Sequence, residues 1–77
     1  MIFEKVREHL ADILMCDVED ITEDSEFETD IVLDSVDLVD LMTRLEDEFN
    51  ITFREDEQFN VKNVGDVVRI VEDKLQK

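Results

Sequence analysis

A chain of 77 residues with 43% apolar side chains, one glycine and no proline has the material for one small core and little for a turn-rich β architecture. Its 23 acidic residues against 8 Lys and Arg leave a net charge of −15 and a pI near 4.1, a surface that repels nucleic acid and anionic membranes and selects partners with basic patches. The single cysteine, Cys16, excludes an internal disulfide, no Cys/His cluster offers a metal site, and no stretch reads as a signal peptide or membrane span, so a cytoplasmic setting is expected.

Apolar residues at Ile2, Phe3, Val6, Leu10, Ile13 and Leu14 fall at helical spacing and predict a first helix from Ile2 to about Met15. Lys5 and His9 lie off that stripe and are expected in solvent. Cys16, at the helix end, has no activating base near it in the sequence and reads as a small, buried or half-buried thiol.

From Asp17 to Leu33 the chain is acidic, with apolar anchors at Val18, Ile21, Phe27 and Ile31 and no Lys or Arg between Arg7 and Arg44. A loop of this length in a small domain has to be packed by its own side chains. Phe27 is therefore expected to reach the core, with Thr22-Glu23-Asp24-Ser25 capping a short helical turn before it. An EF-hand reading fails here. A loop begun at Asp17 puts Ile21 in the third ligand slot, one begun at Asp30 puts Val32 in the second, and neither has the central glycine. Weak, diffuse divalent binding is expected instead of a specific site.

Asp34 and Ser35 stand immediately before an apolar-periodic run, so one of the two is a helix N-cap. Leu38, Leu41, Met42, Leu45 and Phe49 repeat at three- and four-residue steps and predict a second helix from Val36 to about Asn50. Its other face carries Asp37, Asp40, Arg44 and Asp47 with Glu48 beside them, a charged face that is simply solvated unless a partner uses it. Ile51-Thr52-Phe53 is too short for a strand, and Arg54 to Val61 reads as a short acidic helix with Phe59 as its core contact. Asn63 then caps the last helix, with Asp66 at the third position favoured by the N-terminal dipole and Lys74 and Lys77 by the C-terminal one. Val64, Val67, Val68, Ile70, Val71 and Leu75 supply its apolar face, whose packing has to outweigh the mild helix penalty of β-branched residues.

Asp34-Ser35-Val36, with its acidic and apolar lead-in and with Asp37, Asp40 and Leu45-Glu46-Asp47-Glu48-Phe49 after it, resembles the prosthetic-group site and second helix of acyl carrier proteins. The resemblance covers nearly the whole chain, including its length, its acidity and its helix order. It implies an all-α fold: a small four-helix bundle with three longer helices, one short helix and a long loop between helices 1 and 2, forming a single domain over residues 1–77. It also implies phosphopantetheine covalently attached to Ser35, with Asp34 recognised by the phosphopantetheinyl transferase. The thiol of that group carries acyl chains, and the chain itself is not an enzyme.

By the same resemblance, Asp34, Asp37, Asp40, Glu46 and Asp47 face basic patches on acyl-transferring and chain-elongating enzymes of fatty acid synthesis, or of a related polyketide or lipid pathway, and the carrier acts as a monomer. The apolar faces of helices 2 and 4, including Met42, Phe49, Phe53, Phe59 and Val68, are candidates to part for an acyl chain. Val32 stands where the family motif commonly has glycine, Val36 where leucine is usual, and Arg54 where a proline is frequent. Arg44 interrupts the acidic stripe, which points to a particular partner set. A β-branched residue at Val32 excludes a comfortable left-handed backbone there. The alternative from another class is an unmodified acidic interaction module, which needs the charged face and not the serine. Ser35 has no evident companion base to make it a nucleophile in its own right.

Overall fold

The computed structural model describes residues 2–76, so Lys77, expected at the end of the last helix, lies outside them. Four helices follow one another: α1 (Ile2–Leu14), α2 (Ser35–Phe49), the short α3 (Glu55–Phe59) and α4 (Val64–Leu75). Among the described residues the fold is all-α, with one isolated β-bridge, between Glu26 and Asn63, and no strand. One hydrophobic cluster holds it together: Val6 and Leu10 from α1, Leu41, Met42 and Leu45 from α2, and Val64, Val67, Val68 and Val71 from α4. Each such aliphatic side chain taken out of water contributes about 1.5–3 kcal/mol before chain entropy is set against it.

Helix ends account for the boundaries. α1 stops one residue short of Met15, which takes a left-handed backbone with φ 57°, and Cys16 N–H closes back on Ala11 O at 3.1 Å. α2 ends the same way, with Asn50 at φ 55° and Ile51 N–H donating to Glu46 O at 3.2 Å. Both are αL caps that satisfy otherwise orphaned carbonyls. Asparagine adopts that conformation more readily than methionine, which takes it up at a cost. Among the described non-glycine residues only these two have positive φ, so Val32 is not left-handed, in keeping with its branched side chain.

The long first connection is packed, as its anchors require. Ile21 and Phe27 are buried in the core, and Val18 and Ile31 pack against it. The expected helical turn at Thr22–Ser25 does not form. A 3₁₀ turn occupies Val18–Asp20 instead, and at Thr22–Ser25 the buried Ser25 hydroxyl accepts the Thr22 amide at 3.0 Å. The Ser25 amide donates back to Thr22 O at 3.2 Å, so the segment closes a single turn that does not continue as a helix.

This loop is tied to the start of α4 by its backbone. Phe27 N–H donates to Lys62 O at 3.0 Å, Val64 N–H to Ser25 O at 3.1 Å and Gly65 N–H to Glu23 O at 2.8 Å. The one glycine of the chain sits at this close approach, where a Cβ would meet Glu23 O at 3.2 Å. Arg7 adds a bond from Nε to Val18 O at 2.9 Å.

Three residues differ from expectation, one of them Leu75, which was placed on the apolar face of the last helix and is exposed because it is the final residue of α4. His9 is half-buried, with Nε2 3.1 Å from Glu48 Oε1, because α1 packs against α2 along this side. Phe59, expected in the core, is 51% exposed, because α3 is only five residues long and none of its residues is buried.

Candidate functional site

The junction between loop and α2 assigns the capping role to Asp34. Its backbone is extended, its Oδ1 accepts the Asp37 amide at 2.8 Å, and its carbonyl accepts the Leu38 amide at 2.9 Å. Ser35 is then the first helical residue and is exposed, and its hydroxyl enters none of the side-chain hydrogen bonds among the described residues. A free hydroxyl thus stands where unpaired N–H groups and the helix dipole favour a negative group by about 0.3–1 kcal/mol.

Ser35 opens onto a cavity of about 700 Å³ walled by Phe27, Leu33, Leu38, Phe59 and Val61 on its apolar side. Polar groups at its rim come from Glu26, Glu28, Asp34, Lys62, Asn63 and Asp66. Of the five residues proposed from sequence for an acyl pocket, Phe59 lines this cavity. Met42, Phe53 and Val68 are buried in the core, and Phe49 packs against it from its edge. The pattern of α2 had the signal for Leu38, which lies one turn from Ser35 on the apolar stripe, whereas Leu33, Val61 and Lys62 come from loops brought there by the Phe27–Lys62 bridge.

The acidic residues of α2 are not equivalent. Asp40 Oδ1 receives Arg44 Nε at 3.1 Å, and the same guanidinium reaches Asp12 of α1 at 2.7 Å. These two carboxylates raise the Arg44 pKa further, so the cation that interrupts the stripe is permanently charged and bridges α1 to α2. Glu46 Oε2 accepts the Phe53 amide at 2.9 Å and anchors the link that follows α2. Asp37 and Asp47 enter no ion pair among the described residues, and Asp47 is exposed. Exposed Val32, Val36 and Val39 lie close in sequence to Ser35 and add apolar surface to this end.

Residues 4–71 match the family model described as the phosphopantetheine attachment site. The chain is 42% identical to an acyl carrier protein of Clostridium acetobutylicum over 71 residues, 92% of each chain. It belongs to the acyl carrier protein family. A solved acyl carrier protein of Thermotoga maritima superposes with a TM-score of 0.82 at 30% identity, covering 95% of this chain and 85% of that one. A Mycobacterium tuberculosis structure described as an acyl carrier protein gives 0.87 at 35% identity, over 94% and 96%.

The family is defined by phosphopantetheine, and the chain is a carrier of acyl groups that works with synthesis enzymes and a phosphopantetheinyl transferase. The residues present suit such a group: an accessible hydroxyl at a helix N-terminus, beside a cavity with one apolar wall and one polar rim. His9, the only histidine, is held by Glu48, near the end of α2 opposite Ser35. No helix among the described residues is long and apolar enough to cross a membrane.

Proposed function

We propose that Ser35 is the attachment point and that the chain presents acyl intermediates to enzymes of fatty acid synthesis, or of a related polyketide or lipid pathway. When bound, phosphopantetheine supplies a terminal thiol on which acyl groups are held as thioesters. The chain's own residues do the rest. Ser35 offers its hydroxyl in the open at the mouth of α2, and Asp34 both caps the helix and marks the serine for the transferase. Asp37 and Asp47, with Asp40 and Glu46 as half-committed neighbours, meet basic patches on the partner enzymes. The observation that carries this reading is the division of labour at the junction, with Asp34 Oδ1 taken by the Asp37 amide and Ser35 left free beside the cavity.

Short acyl chains occupy the groove between Leu38, Phe59 and Val61, and longer ones press on Met42, Phe49, Phe53 and Val68, which have to shift to admit them. The decisive experiment is the intact mass after incubation with coenzyme A and a broad-specificity phosphopantetheinyl transferase. The wild type gains one phosphopantetheine, and Ser35→Ala gains none while melting at the same temperature. A mass gain on Ser35→Ala, or none on the wild type, would overturn the assignment. An acyl series on the loaded protein tests the groove: the melting temperature climbs with chain length until the cavity is filled, and a flat series rules out internal sequestration.

A further inference from the structure

Resting on Ser35 as the attachment point, we infer that the ammonium of Lys62 is the counter-ion of the phosphodiester formed there, clasping the arm against the cavity rim. Lys62 is the one cation among the residues that wall this cavity, and it shares that cavity with Ser35. In a chain of net charge −15 a lysine so placed has no shortage of carboxylates to pair with. Yet it forms no ion pair among the described residues, although Arg7, Arg44, Arg54, Arg69 and Lys74 all do.

The reason lies in how the neighbouring acids are used. Asp34 is occupied in capping α2, Glu26 Oε1 accepts the Thr29 hydroxyl, and the Asp66 carboxylate accepts the Lys62 amide and pairs with Arg69. Glu28 is the one carboxylate of the cavity left without a bond of this kind among the described residues.

The backbone of Lys62 is fixed at both ends of its peptide. Its carbonyl accepts the Phe27 amide at 3.0 Å and its own amide donates to Asp66 Oδ2 at 2.9 Å. A flexible four-carbon stem ending in a compact point charge is therefore planted on a rigid base at the rim, the arrangement for holding an anion without prescribing its geometry. The helix N-terminus at Ser35 and the Lys62 ammonium supply positive potential at the same cavity.

The test is ³¹P NMR on loaded protein, which reads the phosphodiester itself. Wild type, Lys62→Gln, Lys62→Arg and Lys5→Gln are each loaded with coenzyme A and the transferase, and circular dichroism melts confirm that they fold. The wild-type phosphorus line is broadened and shifted relative to Lys62→Gln. Lys62→Arg retains the wild-type position, and Lys5→Gln, which alters total charge at an exposed position of α1, leaves it unchanged. Raising salt to about 1 M, where the screening length falls to about 3 Å, brings the wild type towards the Gln spectrum. Cross-relaxation between the Lys62 ε-methylene protons and the arm protons next to the phosphate is present in the wild type. Coincident wild-type and Lys62→Gln spectra on loaded protein overturn the clasp while leaving Ser35 as the attachment point. Absence of loading in the wild type overturns both.

Discussion

Asp34 Oδ1 accepts the backbone amide of Asp37 at 2.8 Å, and this bond decides which of two adjacent residues at the mouth of α2 is structural. The aspartate caps the start of the helix, so the serine beside it is spared that task. Removal of the cap by Asp34→Ala is expected to lower stability by about 0.5–2 kcal/mol. Asp34→Asn keeps the hydrogen bond and the melting temperature but removes the charge. A slower rate of loading in Asp34→Asn, with unchanged melting, would show that the carboxylate is read by the transferase; equal rates would restrict Asp34 to capping.

Glu57 and Lys74 fasten α3 to α4. Their carboxylate and ammonium lie 2.8 Å apart with each side chain 22% exposed, and the ammonium sits 5.8 Å from the centre of the Phe53 ring. With no buried residue of its own, α3 depends on this pair. Lys74→Met is expected to cost about 0.5–1 kcal/mol. The same change should accelerate amide exchange at Glu57 to Phe59 more than in α1 or α2. Uniform exchange across the fold would contradict a local tether.

Acid removes stability that two paired carboxylates hold. Asp66 is held below its ordinary value of 3.8, first by the Lys62 amide and further by the Asn63 amide and Arg69. Glu57 is held below 4.5, first by the Arg54 amide and then by Lys74. A carboxyl that binds its proton more weakly in the folded state stabilises that state above its unfolded value, and the contribution is lost as pH falls through the folded one. Stability measured by urea unfolding should therefore hold from pH 7 to about 5 and fall below about 4. Asp66→Asn should lose about 1 kcal/mol at pH 7 and decline less steeply in acid. An acid limb as steep as that of the wild type would remove Asp66 from the account.

Met15 is 91% exposed and adopts φ 57°, a left-handed conformation that a side chain with Cβ takes up at a cost of about 1–2 kcal/mol. Met15→Gly should stabilise the fold by up to about 1 kcal/mol, the gain being reduced by the greater entropy of glycine in the unfolded chain. For a domain of this size that is a rise of about 4–8 °C in Tm. A fall in Tm would mean that the αL cap at the end of α1 carries no strain.

Helix order, the end of the second helix near Asn50, the Asn63 cap and the acidic stripe were all legible in the order of the residues, because each depends on spacing within about two turns. So was the candidate serine, through a motif of adjacent residues. Periodicity could also nominate a buried face, and Leu41, Met42, Leu45, Val67 and Val71 do lie in the core. It could not say which apolar residues line a cavity. Phe59 is exposed at the rim and Leu33 and Val61 join it because Phe27 and Lys62 are hydrogen-bonded across two loops.

The pairing of His9 with Glu48 and the bridging of Asp12 to Asp40 by Arg44 were out of reach. Local rules act along the chain, where neighbours are known in advance, and so they yield elements and caps. The identity of a partner that lies 32 or 39 positions away depends on how the helices pack, and only the assembled fold supplies it.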